Sequence, residues 1–125
     1  MGRGIAFRRV GDGVRILVCG GRDYADAEKV RGVLGLYKHR QPTLVHGDCA
    51  GADRLADWTA RVVYGWQTER HPANWRKHGR GAGPARNERM ARLGADVLLA
   101  FPGGRGTEDM VRRAEAHGIP VRKIA

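Results

Sequence analysis

Asp96-Val97-Leu98-Leu99-Ala100-Phe101 runs directly into Pro102-Gly103-Gly104-Arg105-Gly106-Thr107, and this stretch decides the fold. An unbroken apolar run of this length reads as a strand buried on both faces, and the glycines end it. Beyond them Met110, Val111 and Ala114 recur at helical spacing as far as Gly118. A buried strand, a glycine turn and an amphipathic helix together make the repeating unit of a parallel α/β sheet.

The same unit recurs upstream. Val14-Arg15-Ile16-Leu17-Val18-Cys19 is a short apolar run closed by Gly20-Gly21. Asp26 is placed to cap a helix in which Ala27, Val30, Leu34 and Tyr37 share a face through about Arg40. Gln41-Pro42 stops it, and Thr43-Leu44-Val45-His46 is the second strand. Gly47 to Asp53 is a loop into a second helix, with Leu55, Thr59 and Val62 marking its inner face. Trp66 to Arg70 is the weakest strand and reads as an edge. Residues 72–83, rich in Pro, Gly, Arg, Lys and His, read as a mobile loop. Pro84 occupies the first turn of a third helix that runs to Gly94 as its C-cap, and residues 120–124 give a last strand.

The pattern βαβαβαβαβ predicts an α/β, Rossmann-like three-layer sandwich with a five-stranded parallel sheet. Right-handed crossovers and one reversal set its order at 3-2-1-4-5. Residues 14–125 make one domain. Residues 1–13 stand apart as a basic N-terminal extension, read either as a basic arm or as an added strand over Ile5–Val10.

A chain of 125 residues suits one domain with a core of its own. No apolar run approaches the roughly 20 residues that cross a bilayer, and the start lacks a signal-peptide pattern. A cytoplasmic protein without a membrane partner is the expectation. Cys19 and Cys49 read as free thiols there, and as buried side chains rather than a metal site shared with His46. The net charge of +10 points to an anionic partner, or to nothing more than a solvated basic surface.

In a 3-2-1-4-5 sheet the topology reverses between strands one and four, and ligands bind beyond their carboxyl ends. Both of those strands end in glycine loops: Gly20-Gly21-Arg22-Asp23-Tyr24, and Pro102 to Thr107. Backbone without side chains lets a phosphate approach N–H groups, and the following helix adds its positive end. Thr107 is placed either to cap that helix or to donate its hydroxyl to a phosphate. His46-Gly47 and Gly51-Ala52-Asp53 reach the same edge of the sheet. Asp53 is read with equal weight as a helix-start charge and as a ligand for ribose hydroxyls or a base. Arg86 and Asn87, at the start of the third helix, are placed for phosphate or carboxylate. Trp75 reads as a stacking surface for a base or as a hydrophobic anchor.

The motifs Gly20-Gly21-Arg22-Asp23, His46-Gly47, Gly51-Ala52-Asp53, Arg86-Asn87 and Phe101-Pro102-Gly103-Gly104-x-Gly106-Thr107-x-x-Met110-Val111 follow one another in this order. Over residues 15–125 the chain resembles the SLOG superfamily, and within it the small stand-alone members of the YspA and YpsA type. That resemblance implies a Rossmann-like fold that binds a nucleotide or nucleotide-derived ligand as a sensor or processing module. Relatives include the lonely-guy phosphoribohydrolases and the DNA-processing protein of natural transformation. The phosphoribohydrolases carry Pro-Gly-Gly-x-Gly-Thr-x-x-Glu, with the glutamate needed for cleavage of the N-glycosidic bond. Met110 stands at that position here, and a thioether moves no proton. Glu108 lies on another side of the helix.

Binding at the two glycine loops is therefore the leading reading. A nucleoside-phosphate hydrolase or N-glycosidase-like enzyme is an alternative, with Asp23 or Asp53 as its catalytic carboxylate. A basic nucleic-acid-binding protein is another, although aromatic residues make up only 6% of the chain, too few for a stacking platform. Trp58, Val62, Val63 and Trp66 read either as a homodimer face or as ordinary core.

Overall fold

A computed structural model of the chain describes residues 13–125. The expected N-terminal extension, with its alternative strand at Ile5–Val10, lies outside the described residues apart from Gly13.

Five parallel strands form one sheet: β1 (Arg15–Cys19), β2 (Thr43–His46), β3 (Gln67–Arg70), β4 (Val97–Ala100) and β5 (Val121–Lys123). Their order is β3-β2-β1-β4-β5, so the sheet is doubly wound with its reversal between β1 and β4. The period of two along each strand divides the core. Ile16, Val18, Leu44, Val97, Leu99 and Phe101 face one layer. Leu17, Cys19, Val45, Leu98 and Ala100 face the other.

The first layer comprises α1 (Ala27–Gly35) and α2 (Ala52–Trp58), whose Val30, Leu34, Ala52 and Ala56 are fully buried. The second comprises α4 (Ala82–Leu93) and α5 (Arg105–Ala116), through Met90, Ala91, Met110, Val111 and Ala114. A one-turn helix, α3 (Trp75–His78), precedes α4. The central strands β1, β2 and β4 thus have an apolar layer on both sides and show no alternation, whereas the edge strands β3 and β5 are largely polar and part-exposed.

Several local expectations need correction. Asp26 caps α1 by accepting from the Lys29 N–H at 3.0 Å. The helix ends at Gly35, however, because the next amides bond three residues back and tighten the chain into turns as far as Arg40. Leu55 packs part-buried against the core and Thr59 is buried, but the fully buried positions are Ala52 and Ala56 of α2 and Ala60 just beyond it, and Val62 is 56% exposed. Alanines let the helix lie close on β1, and a π turn at Thr59–Val63 rotates the later residues outward. The Pro- and Gly-rich segment is not a loop throughout. Asn74 accepts from the Lys77 N–H at 3.0 Å and nucleates α3, a 3-10 turn at Gly79–Gly81 follows, and α4 starts at Ala82 with Pro84 in its first turn, as expected.

Candidate functional site

At the carboxyl end of the sheet, beside the reversal, lies a cavity of about 560 Å³. That volume falls within the range of small-molecule sites, roughly 300–1,000 Å³. The end of β1 and the glycine loop after it supply its floor, α4 and Trp75 one wall, and the first turns of α5 another.

The two glycine loops are bonded to each other. Gly21 N–H donates to Pro102 C=O at 2.8 Å, and Gly21 C=O accepts from Ala52 N–H at 3.1 Å. This junction leaves no room for side chains. A Cβ on Gly20 would sit 2.5 Å from Ala52 Cβ and 2.9 Å from Phe101 Cβ. One on Gly103 would run into Thr107 Oγ1 and the Gly21 nitrogen. Gly51 has φ +78°, and a Cβ there would strike the Gly21 and Arg22 carbonyls. Packing alone therefore accounts for Gly20, Gly51 and Gly103.

Gly104 and Gly106 differ. A Cβ on either meets nothing within 4 Å, and neither has a positive φ. Both line the cavity. Gly104 is the N-cap of α5, and the first bond back to it comes from Glu108 N–H at 3.0 Å. The amides of Arg105, Gly106 and Thr107 precede that bond, so they have no partner within the helix. Thr107 sits inside the helix and does not cap it. Exposed Arg22 and Arg105 stand at the rim. The corner is electropositive through backbone and side chains alike.

The opposite wall is built on buried polar contacts. Asp53, 5% exposed, accepts through Oδ2 from Gly47 N–H at 3.0 Å and Cys49 N–H at 3.3 Å. Its Oδ1 takes no hydrogen bond from the described residues. Burial pushes its carboxyl above the usual range, against the pull of the Cys49 amide, His46 and Arg86. The neighbouring Cys19 thiol is held strongly protonated by burial and by Asp53. Cys49, half-buried, lines the cavity beside it.

Arg86 is a brace rather than an open anion contact. It lies one turn inside α4, not at its start, and is 7% exposed. It donates to Gly47 C=O at 2.6 Å, His71 C=O at 3.3 Å and Asn87 Oδ1 at 2.9 Å, and approaches Cys49 Sγ at 3.6 Å. A Cβ on Gly47 would collide with its guanidinium, which explains that glycine. Asn87 in turn donates to Asp109 Oδ2 at 3.0 Å and Gly106 C=O at 3.4 Å. These two adjacent residues tie α4 to the β2–α2 loop and to α5.

His46 is fully buried and does not line the cavity. Its Nδ1 accepts from Asp48 N–H at 2.9 Å, so Nε2 carries the proton to Asp57 Oδ1 at 2.8 Å. Burial works against ionised Asp57, yet hydrogen bonds from His46, Arg61 and Arg70 outweigh it and hold the carboxyl well below its usual range. Asp23 is exposed on the turn after Gly21 and does not line the cavity either. Pro102 and Gly103 border a second hollow on the far side of α5. Among the sequence candidates, Gly20, Gly21, Arg22, Asp53, Arg86, Asn87, Gly104, Gly106 and Thr107 meet at the cavity, and His46, Gly47, Gly51, Asp23, Pro102 and Gly103 do not.

The cavity also has walls that the sequence reading missed. Asp109 is half-buried and lines it, bonded to Asn87, Arg112 and Arg113. Burial opposes its ionisation, and Arg113 and Asn87 overcome this to hold the carboxyl low. Its place one residue before Met110 and four before Arg113 was the available signal. Met110 is 1% exposed at the base of the cavity, and exposed Glu108 is not among its lining residues. Among the described residues no group of three or more His, Cys, Asp or Glu side chains is arranged to hold a metal ion. No helix among them is long and apolar enough to cross a membrane.

Fold and cleft together define a doubly wound α/β domain with its crevice at the switch point between β1 and β4. The chain belongs to the YspA, cpYpsA-related SLOG family, whose model matches residues 14–78. It is also similar to the Gene 61 protein of Mycobacterium phage D29, at 43% identity with 86% of this chain and 93% of that protein aligned. The Pro102–Thr107 loop and Arg86 lie beyond the segment matched by the family model.

Proposed function

We propose that the cavity binds a nucleotide or nucleotide-derived ligand, with a phosphate on the free amides of Arg105, Gly106 and Thr107. The observation that carries this reading is the pair Gly104 and Gly106. No neighbouring atom within 4 Å and no positive φ requires glycine at either position, yet both border the cavity at the start of α5. Missing side chains there serve only an approaching group, and the helix end favours an anion. Arg22 and Arg105 add charge at the rim, and half-exposed Trp75 offers a face for a base. Asp53 Oδ1, which takes no hydrogen bond from the described residues, is an acceptor for a sugar hydroxyl. Family membership fits a nucleotide-related ligand.

The test is a thermal-shift panel of 5′-nucleotides and a ribose phosphate against the native chain and Gly104→Asp. A ligand at 100 times its dissociation constant adds about 2.7 kcal/mol, which in a domain of this size raises the midpoint on the order of 5 °C or more. The expected result is a shift with one ligand that Gly104→Asp abolishes; absence of a shift throughout the panel would overturn the reading.

A nucleoside-phosphate hydrolase is the second reading, favoured by Asp53 alone: a buried carboxyl of raised pKa facing the cavity is suited to proton transfer. An Asp53→Asn variant that still binds the ligand but loses turnover would support it, and native protein that leaves the bound nucleotide intact would end it.

A further inference from the structure

The segment between the two cavity-lining residues Trp75 and Gly83 carries Arg76, Lys77 and Arg80, all exposed. None of the three forms an ion pair among the described residues. Other cations divide: Lys29, Arg31, Lys38 and Arg40, on and after α1, are also without an ion pair among the described residues but lie away from the cavity lining, and several arginines are held by carboxylates. Asp57 holds Arg61 and Arg70, Glu69 holds Arg15, Glu88 and Asp109 share Arg113, and Asp48 lies near Arg54. The segment is also fixed: Asn74 caps α3, and the 3-10 turn hands the chain to α4. Three cations without an ion pair among the described residues thus sit on a fixed segment that begins and ends at the cavity wall, next to an indole.

A mononucleotide seated with its phosphate on α5 and its base against Trp75 leaves these three cations unused. We infer that the ligand is a nucleotide whose phosphodiester chain continues out of the cavity, so that the next phosphates lie along Arg76, Lys77 and Arg80. The inference rests on the nucleotide reading above and extends it from one phosphate to several. A short linear dinucleotide and the 5′ end of a single strand share this chemistry.

The experiment uses 5′-phosphorylated homo-oligonucleotides of one, two and eight residues, with affinity measured by competition against a labelled octamer at several salt concentrations. The proteins are native chain, Gly104→Asp and the triple variant Arg76→Ala/Lys77→Ala/Arg80→Ala, whose side chains hold up nothing else. Each single-strand phosphate contact contributes about 0.7 to the salt slope, so losing three should lower that slope by about 2. The native chain then loses roughly fifteen- to twentyfold more octamer affinity than the triple variant between about 50 and 200 mM salt. Mononucleotide affinity should be equal in the two proteins, and Gly104→Asp should weaken every ligand. A gain complete at the dinucleotide supports the small ligand; a gain that continues to the octamer supports the strand end. An octamer that binds no tighter than the mononucleotide, or equally well to the triple variant, overturns the inference and leaves the pocket standing. Octamer binding that survives Gly104→Asp overturns it as surface attraction only. Failure of every ligand, mononucleotide included, overturns the pocket reading and the inference with it.

Discussion

Gly20-Gly21 and Gly103 are glycines because the chain packs against itself there, whereas Gly104 and Gly106 are glycines with nothing against them. The first group locks the loop after β1 to the loop after β4. The second group borders the cavity on the free end of α5. A similar division separates the two sides of the cleft. On the β2–α2 side Arg86, Asn87, His46 and Asp57 are bonded to other parts of the protein, and at the start of α5 three amides have no partner among the described residues. Side chains and glycines that satisfy one another build the frame, and the groups left over are those that can bind something else.

Substitutions test this division. The largest effect is expected from Gly51→Ala, which combines a positive φ with a collision against the Gly21 and Arg22 backbone. A loss of about 3 kcal/mol or more is expected, read as a fall of the thermal midpoint on the order of 10 °C. Retention of native stability would mean the loop junction is looser than described. Next comes Arg86→Met, which strips a donor from the Gly47 and His71 carbonyls and from Asn87. Orphaned buried acceptors should cost about 2–3 kcal/mol in urea unfolding. A stable Arg86→Met that has lost ligand would instead make Arg86 a direct contact.

Asp57→Asn is expected to cost about 1–2 kcal/mol at neutral pH. The sign with pH follows from the direction of the shifts. Asp57 is held low, and Glu69 is lowered to about 2 mainly by its bidentate bond from Arg15. Their contributions are complete above the unfolded-state values near 4, and they are lost as pH falls towards 2. The gap between the native chain and Asp57→Asn should therefore narrow between about pH 4 and pH 2; a constant gap would show that the carboxylate's charge is not the cause. Asp53 runs the other way, since a raised carboxyl loses stability as pH rises past its unfolded value. The smallest effect on stability belongs to Gly104→Asp, within about 0.5 kcal/mol, because its side chain enters open space at an N-cap.

The architecture was legible in the sequence because the three central strands are short apolar runs bounded by Gly or Pro and alternate with helical patterns, and the sheet order follows from that alternation. The misread elements are those where small numbers of contacts decide. Alanines on α2 bury without advertising an apolar stripe, and the π turn after it carries Val62 outward while Leu55 and Thr59 stay against the core. A single Asn74 cap organises α3 in a segment whose composition reads as loop. In the site, glycine positions were legible but not their reasons, because only the fold distinguishes a crowded glycine from an open one. His46 and Arg86 read as ligand contacts because their type suits anions, and nothing local reveals that Asp57 and the Gly47 carbonyl already engage them. Asp109 was missed because its cavity position depends on Asn87 from another helix.

The most direct measurement is amide chemical-shift mapping of the isotope-labelled protein during titration with a 5′-phosphorylated nucleotide. The largest changes are expected at the amides of Arg105, Gly106 and Thr107, with smaller ones at Gly20 and Gly21, and none of them in Gly104→Asp. Changes centred on Gly20 to Asp23 with Arg105 to Thr107 unmoved, or the same changes in Gly104→Asp, would contradict the assignment of the open glycines as the anion seat.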